Sequence, residues 1–217
     1  MSASTNGWTA IVPVKPWRLA KSRLAVPGRD RAEVARALSL DTIETVHHSD
    51  IVERIVVVSV EVELAVAVSR LSKVVVRQDR PMLAVDMLNP AVDQGRWWAQ
   101  SEAPESPVVV VPADLAALTT DVLDCALARL AEHERAHVPD LRGGGTTLLA
   151  ARQPLRLESR YGVDSARMHA ERGSVPVLDV DPRVRLDVDD VEDLKAARRW
   201  GLAPRIGALV APMPAVT

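Results

Sequence analysis

The sequence predicts an α/β protein built around a largely parallel sheet with helical crossovers. Short valine-rich runs alternate along the chain with longer amphipathic runs, a pattern typical of buried strands connected by helices. The chain has 217 residues, which is enough to bury one sizeable core, and neither a repeat nor a low-complexity linker divides it. Phenylalanine is absent and Tyr161 is the single tyrosine, so we expect an aliphatic core.

Strands are predicted where short runs rich in valine, leucine or alanine are bounded by polar residues, glycine or proline. In chain order these runs cover residues 9–14, 54–60, 73–76, 107–111, 137–140, 146–151, 175–178 and 184–186. The run at 107–111 is continuously apolar, as expected of a strand that is buried on both faces.

Helices are predicted between these strands. Residues 31–46 form the first, because Val34, Leu38 and Thr42 recur on one face at helical spacing. The others cover residues 62–71, 88–99, 119–134, 165–171 and 191–200. Cys125 falls on the apolar helix at 119–134, where we expect a small core residue.

The predicted domain organisation is a flexible segment at residues 1–7, a single domain at 8–200 and a tail at 201–217. The tail is rich in proline and alanine, so we expect it to be loosely attached.

Composition excludes several classes of protein. The formal net charge is −2, with many charges of both signs, which gives no long-range attraction for nucleic acid or for an anionic membrane. The single cysteine excludes an internal disulfide and a cysteine-based zinc site. Because no apolar run is long enough to span a membrane and no signal peptide precedes the first strand, we expect a cytoplasmic protein.

A cluster of cations follows the first strand. Lys15, Arg18, Lys21 and Arg23 come directly after the apolar run that ends at Val14. The carboxyl ends of parallel strands are where α/β sheets hold ligands, so this loop predicts a site for an anion.

Three aspartates are candidate metal ligands. Asp114 follows the central apolar run, and Asp187 and Asp189 lie on the same side of a later extended segment. Carboxylate oxygens suit Mg²⁺. The alternatives are an Asx turn or N-cap at Asp114 and simple helix initiation after Asp189, with Asp190 as N-cap and Asp193 at the third position.

Two glycine-containing loops are candidate binding sites for an anion. Gly143–Gly145 with the following Thr146 and Thr147 exposes backbone N–H groups to an anion, or is a plain hairpin turn. Further on, Gly162 permits a tight turn, and Asp164 or Ser165 caps a helix whose first N–H groups attract phosphate or carboxylate. On that helix, Arg167 and His169 either line the site or face water, and for His169 we favour the position facing water.

Taken together, these segments resemble the family of 2-phospho-L-lactate or phosphoenolpyruvate guanylyltransferases, which act in coenzyme F-420 biosynthesis. The resemblance runs from about Trp8 to about Trp200. It is carried by Val12-Pro-Val-Lys15 with Ala20-Lys21-Ser-Arg23-Leu, Leu88-Asn89, Val111-Pro-Ala-Asp114-Leu, Gly143 to Leu148, Tyr161-Gly162 to Ser165-Ala and Leu186-Asp187-Val-Asp189. It implies a nucleotide-diphospho-sugar transferase fold, which is a three-layer α/β/α sandwich with a mixed sheet.

The resemblance also implies a reaction and residue roles. A phosphorylated three-carbon acid would take GMP from GTP with release of pyrophosphate, and the product would pass to the next enzyme of the pathway. The implied roles are triphosphate binding by Lys15, Lys21 and Arg23, a place near the guanine or ribose for Asn89, Mg²⁺ binding by Asp114 with Asp187 or Asp189, and acid binding by Thr146, Gly162 and Ser165. A homodimer is a further expectation.

The sequence departs from the family pattern at several loop positions. Asp86-Met87 replaces a glycine before Leu88, and Tyr161 replaces the usual phenylalanine. Two other functions therefore stay open at this point. One is a nucleotidyltransferase that acts on a sugar phosphate or molybdopterin, although its glycine-rich loop is missing between Lys15 and Arg23. The other is a non-catalytic nucleotide-binding module.

Overall fold

A computed structural model of the chain describes residues 7–21, 23–78 and 88–210. Within these residues, one sheet contains all the strands. The strands are Trp8–Val14 (β1), Val52–Ser59 (β2), Val74–Gln78 (β3), Val108–Val110 (β4), Arg135–Pro139 (β5), Thr146–Ala151 (β6) and Val175–Pro176 (β7). The helices are Arg31–His48 (α1), Val62–Ala67 (α2), Leu88–Glu102 (α3), Thr120–Leu130 (α4), Ser165–Glu171 (α5), Val191–Arg198 (α6) and Pro204–Val210 (α7).

The sheet is mixed but mostly parallel, as the sequence predicts. Its strand order is β3-β2-β1-β4-β6-β5-β7. The pairs β1 with β2, β2 with β3, β1 with β4 and β5 with β7 are parallel, whereas β6 is antiparallel to both β4 and β5. Only β6 therefore runs against the others among these strands, and its first residue lies at the edge where β1 and β4 end.

Helices cover both faces of the sheet, which confirms the three-layer arrangement. Neighbouring residues of a strand point to opposite faces, and β1 shows this clearly. Val12 belongs to a core cluster with Ile43 of α1 and Leu127 of α4, whereas Ile11 belongs to a separate cluster with Val92 of α3. Because both faces of β1 are covered, every one of its residues is buried.

One predicted strand is absent. Residues 184–186 do not form a strand, because Pro182–Val184 is a short 3-10 helix. The Asp181 carboxylate accepts a hydrogen bond from the backbone N–H of Arg183 at 2.9 Å and so caps this turn. The chain becomes extended only afterwards, where Val188 N–H donates to the carbonyl of Asp114 at 3.1 Å.

The prediction of a loosely attached tail is wrong for residues 201–210. Helix α7 lies there, with Ile206 and Val210 buried in a cluster that also contains Leu38 of α1. The buried Asp41 carboxylate accepts hydrogen bonds from the N–H groups of Arg205 and Ile206, which have no partner within the first turn of their own helix. Residues 211–217 lie outside the described residues, as does the predicted flexible segment apart from Gly7.

Cys125 also differs from expectation, because it is exposed. The buried face of α4 is formed by Val122, Leu123, Ala126 and Leu127, and Cys125 falls on the opposite face.

As to membranes, none of the helices in residues 7–21, 23–78 and 88–210 combines the length and apolar character needed to cross one.

Candidate active site

The candidate site lies at the carboxyl edge of the sheet, between β1 and β4. β1 is bonded to β2 on one side and to β4 on the other, so the strand order reverses at this point. Such a switch point leaves a crevice between the loops that follow the two strands. A cleft of about 320 Å³ opens here, and its lining includes Lys15, Lys21, Arg23, Asp114 and Asp189.

Lys21 is the central cation of this cleft. Its Nζ forms ion pairs with Asp114 Oδ2 and, at 3.2 Å, with Asp189 Oδ1. Burial alone would lower the pKa of Lys21, but the charges of Asp114 and Asp189 outweigh it and raise the pKa above its ordinary value. The loop after β1 and Asp114 after β4 therefore meet at one edge of the sheet.

The three predicted metal ligands form one cluster. Oxygens of Asp114, Asp187 and Asp189 lie within 4.8 Å of one another. Burial raises the pKa of Asp187 to about 7, and the charges of Asp114 and Asp189 add to this effect. Asp114 Oδ1 is buried and accepts no hydrogen bond from the described residues. A set of oxygen donors with one buried, unpartnered atom fits a hard divalent cation such as Mg²⁺.

The neighbouring aspartates have a different task. Asp190 caps α6 by accepting from the N–H groups of Glu192 and Asp193, and the Asp193 carboxylate accepts from the N–H of Asp190 in return. This is the capping box that the sequence predicts, and it leaves Asp187 and Asp189 for the cluster. The helix-initiation interpretation is therefore confirmed for Asp190 and Asp193, and metal binding by Asp187 and Asp189 stays a prediction.

Lys15 and Arg23 flank the cluster on the solvent side. Lys15 is exposed at the end of β1, and Arg23 donates to Asp189 Oδ2 at 2.9 Å from a largely exposed side chain. Trp17, between them, is buried, with its Nε1–H donating to Ser39 Oγ of α1 at 3.1 Å. The tryptophan thus fixes the loop to the core while its edge lines the cleft.

Asn89 holds the loop that contains Tyr161. Its side-chain amide donates to the carbonyl of Tyr161 at 2.9 Å and accepts from the N–H of Tyr161 at 2.8 Å. This paired contact connects the start of α3 to the predicted acid-binding segment. Asp86 and Met87, where the sequence departs from the family pattern, lie outside the described residues.

The predicted acid-binding residues lie in two connected segments. Thr146 is the first residue of β6, and Ser165 is the buried first residue of α5. Gly162 has φ of +140°, a conformation that favours glycine, and its carbonyl accepts from the N–H of Ser165. Ala166 N–H donates to the carbonyl of Gly144, so the triple-glycine loop and α5 are joined. These residues do not line the cleft around Lys21; they lie beside it.

His169 corrects an expectation and adds a residue to the site. We expected it to face water, but it is fully buried. Its Nδ1 lies 2.9 Å from Thr146 Oγ1, and its Nε2 accepts from the N–H of Arg160 at 2.9 Å. His169 follows Ser165 by four residues and shares its helix face, but the seven residues of α5 do not show from sequence alone that this face is buried.

The comparisons with known proteins identify the family. Residues 8–197 match the sequence model of a family described as "Guanylyl transferase CofC like". The chain belongs to this family. Among its relatives, a phosphoenolpyruvate guanylyltransferase of Salinispora arenicola is 37% identical over 209 residues, which cover 94% of each protein. Another, of Streptosporangium roseum, is 36% identical over 211 residues, covering 96% of this chain and 93% of the relative.

Solved structures share the fold of this guanylyl transferase family member. A candidate nucleotide-diphospho-sugar transferase from Desulfovibrio desulfuricans G20 has a TM-score of 0.65 at 18% identity, covering 88% of this chain and 86% of the other. A 4-diphosphocytidyl-2C-methyl-D-erythritol synthase has a TM-score of 0.62 at 13% identity, covering 90% and 99%. The predicted nucleotide-diphospho-sugar transferase fold is thus confirmed, and membership of the family makes the protein a nucleotidyltransferase.

Proposed function

We propose that this protein transfers the guanylyl group of GTP to the phosphate of phosphoenolpyruvate, releasing pyrophosphate, as a step in coenzyme F-420 biosynthesis. The observation that carries the proposal is the meeting of Lys21 with Asp114 and Asp189 at the switch point of the sheet. Cations and carboxylates from distant parts of the chain converge there on one cleft, which suits a polyphosphate and its counter-ion.

The cationic loop is assigned to the triphosphate of GTP. Lys15, Lys21 and Arg23 line one cleft, and their charges offset those of the phosphates. Lys21 is the deepest of the three and is held by two carboxylates, so its position is fixed before the nucleotide arrives. Pre-positioned charge of this kind stabilises a transition state without reorganisation. Asn89 is assigned to the guanosine side, where its contact with Tyr161 supports the loop.

The chemistry requires alignment more than proton transfer. An oxygen of the acceptor phosphate forms a bond to the α-phosphorus of GTP, and the bond from that phosphorus to the bridging oxygen of the β-phosphate breaks. The electron pair of that bond leaves with pyrophosphate. Because the second pKa of a phosphate monoester is about 6, the attacking oxygen is already ionised near neutral pH. Neither a protein nucleophile nor a dedicated general base is needed.

Asp114, with Asp187 and Asp189, is assigned to Mg²⁺. When bound, the ion supplies Lewis-acid polarisation and charge neutralisation at phosphate oxygens. The residues themselves hold three oxygen donors in one place, and Asp114 Oδ1 offers a buried lone pair that the described residues leave unused.

Thr146, Gly162 and Ser165 are assigned to the acceptor acid. Thr146 is the first residue of β6, which is antiparallel to β4, so it lies at the edge of the sheet where Asp114 follows β4. The assignment of phosphoenolpyruvate rests on the names of the relatives. The cytoplasmic location, the homodimer and direct transfer of product to a following enzyme stay predictions from the sequence.

A pyrophosphate assay tests the proposal. Pure protein is incubated with GTP, Mg²⁺ and one acid at a time, which is phosphoenolpyruvate, 2-phospho-L-lactate or 3-phosphoglycerate. Released pyrophosphate is measured, and the GMP adduct is detected by mass spectrometry. We expect pyrophosphate with phosphoenolpyruvate and little with ATP or CTP in place of GTP. A folded sample that forms no pyrophosphate with any of the acids would refute the function.

The variant Asp114→Asn tests the assigned metal ligand. It keeps the shape of the side chain but removes its charge, so we expect turnover to fall by more than about tenfold with the fold intact. Asp179→Asn is the matched control, because Asp179 is 91% exposed and pairs with Arg129 on α4. Full turnover by Asp114→Asn at limiting Mg²⁺ would show that the assignment is wrong.

A further inference from the structure

The buried ring of His169 joins the two segments assigned to the acceptor. The residue is fully buried on α5. Its Nε2 accepts a hydrogen bond from the backbone N–H of Arg160 at 2.9 Å, and its Nδ1 lies 2.9 Å from Thr146 Oγ1. One imidazole therefore connects the start of β6 to the loop that precedes Gly162.

These two contacts determine which ring nitrogen carries the hydrogen. A backbone N–H can only donate, so Nε2 must be the acceptor and must carry no hydrogen. Burial lowers the pKa of His169 to about 4, with contributions from His137 and Arg160, so the ring is neutral at neutral pH. In a neutral imidazole the remaining nitrogen is protonated, and Nδ1–H therefore donates to Thr146 Oγ1.

The consequence concerns the hydroxyl hydrogen of Thr146. Since Oγ1 accepts from His169, its own hydrogen is available for an acceptor elsewhere, and no second hydrogen bond from this hydroxyl is found within the described residues. Thr146 is partly exposed at the carboxyl edge of the sheet, whereas His169 lies beneath it. The hydrogen is thus directed away from the ring.

We propose that His169 is a positioning residue that fixes the Thr146 hydroxyl as a hydrogen-bond donor to an anionic oxygen of the acceptor acid. This inference rests on the proposed function, because it takes the acid to be the group that Thr146 binds. A freely rotating hydroxyl could donate to the ring or accept from a neighbour. With the Nδ1–H in place, it presents a donor to the ligand before the ligand arrives.

The two contacts of the ring can be separated by substitution. Glutamine can place a carbonyl oxygen near the position of Nε2, so His169→Gln keeps the acceptor for Arg160 N–H but loses the donor to Thr146. Asparagine can place its amide NH₂ near the position of Nδ1, so His169→Asn keeps the donor and loses the other contact. His48→Gln is the matched control, because His48 is exposed at the end of α1.

The first measurement needs no variant that could fail to fold. Long-range ¹H–¹⁵N correlation spectra of the full-length protein, with ¹⁵N-labelled histidine, report which ring nitrogen carries a hydrogen. We expect His169 to be the Nδ1–H tautomer at neutral pH and to remain so with phosphoenolpyruvate bound. A hydrogen on Nε2, or a ring that is protonated near pH 6.5, would overturn the inference.

The second measurement is steady-state kinetics with each substrate varied. Loss of one positioned hydrogen bond is expected to raise the KM for phosphoenolpyruvate in His169→Gln by about tenfold, with the KM for GTP changed by less than about twofold. We expect His169→Asn to recover most of this loss. When His169→Gln is added to Thr146→Val, we expect little further rise in the KM for phosphoenolpyruvate, because both substitutions remove the same contact.

The outcomes separate this inference from the proposed function. If the wild-type protein forms pyrophosphate and His169→Gln matches it in both KM values, His169 has no positioning role and the proposed function stands. Equal rises in both KM values would also overturn the inference, because they indicate a merely structural role. If the wild-type protein forms no pyrophosphate with any acid, both fail together.

Discussion

Lys21 combines two unusual properties at one residue. Its φ is +56°, in the left-handed region that residues other than glycine rarely adopt, and its ammonium lies between two carboxylates. Such a conformation costs on the order of 1–3 kcal/mol and persists where the surroundings impose it. Here the ion pairs with Asp114 and Asp189 supply that constraint. The strain and the charge thus occur together at the position where a phosphate is expected to bind.

The variant Lys21→Met should separate the two interactions of this ammonium. Without it, the charges of Asp114 and Asp189 are no longer offset, so we expect Mn²⁺ in the absence of nucleotide to bind at least about fivefold more tightly. With GTP present, kcat/KM should fall by at least about tenfold, because a donor to the phosphates is lost. Titration calorimetry and steady-state rates measure the two effects.

Arg23→Met is the control for this pair of measurements. Of the three clustered aspartates, Arg23 contacts only Asp189, and its side chain is 69% exposed. We therefore expect Arg23→Met to change Mn²⁺ affinity much less than Lys21→Met does. Weaker Mn²⁺ binding by Lys21→Met than by the wild-type protein would contradict the expectation. It would mean that the Lys21 ammonium helps the aspartates to bind the metal ion instead of competing with the ion for them.

Much of the site could be predicted at the level of residues, but not all of it. Lys21 and Asp114 could be brought together from sequence because both follow strands that end at the same edge. His169 could not be placed, because seven residues of α5 do not show which face is buried. The contact between Asn89 and Tyr161 spans 72 positions and depends on how α3 packs. Neither has a local signal.

At the scale of elements, α3 approaches β1 unusually closely. A Cβ added at Gly95 of α3 would lie 2.4 Å from Cγ2 of Ile11, which is fully buried in the sheet. Contacts this short require the neighbour to move, and a β-branched residue in a strand has little freedom to do so. Glycine at this position therefore sets the distance between the helix and the sheet, at the cost of some intrinsic helix propensity.

The variant Gly95→Ala should destabilise the protein. Overpacking against Ile11 is expected to lower the free energy of unfolding by about 1–3 kcal/mol, which exceeds the gain of about 1 kcal/mol or less in helix propensity. Gly207→Ala in α7 is the matched control, because a Cβ there meets nothing closer than 3.7 Å. We expect Gly207→Ala to be neutral or slightly stabilising, and urea unfolding of both variants measures the difference. Equal stability of the two would show that α3 can shift.

The elements also show where patterns in the sequence stop being informative. Residues 146–151 were predicted correctly because turn residues bound the run at both ends. The predicted strand at 184–186 is wrong, because Asp181 and Pro182 start a helical turn whose last residue is the apolar Val184. Helix α7 was missed because its stability depends on burial of Ile206 and on Asp41, which is 165 positions away. Only tertiary contacts distinguish it from a tail.

At the scale of the whole molecule, buried histidines predict how stability depends on pH. Burial lowers the pKa of His137 to about 4, as it does, with added charge effects, for His169. An unfolded chain binds protons at these residues from about pH 6.5 downwards, whereas the folded protein does not. The stability that these two histidines contribute is therefore fully present above pH 6.5 and is lost progressively as the pH falls towards 4, while the raised pKa of Asp187 acts in the opposite direction.

Urea unfolding at several pH values between 7 and 4 measures this loss. We expect the midpoint to fall with pH, and to fall less steeply in His137→Gln, because that variant has one titrating histidine fewer. His48→Gln should keep the slope of the wild-type protein, since His48 is exposed. A midpoint that stays constant from pH 7 to pH 4.5 would contradict the expectation.

The reversed direction of β6 bears on how such an enzyme can diversify. This strand begins at the edge of the sheet where its neighbours end. The hairpin of β5 and β6 therefore places Thr146 on one side of the site, and the loops after β1 and β4 place Lys21 and Asp114 on the other side. If Thr146 binds the acid as we propose, mutations at the hairpin tip are expected to alter which small acid is accepted and to leave the nucleotide-binding residues unchanged. A duplicated gene could acquire a new acceptor through a handful of changes confined to that one flank.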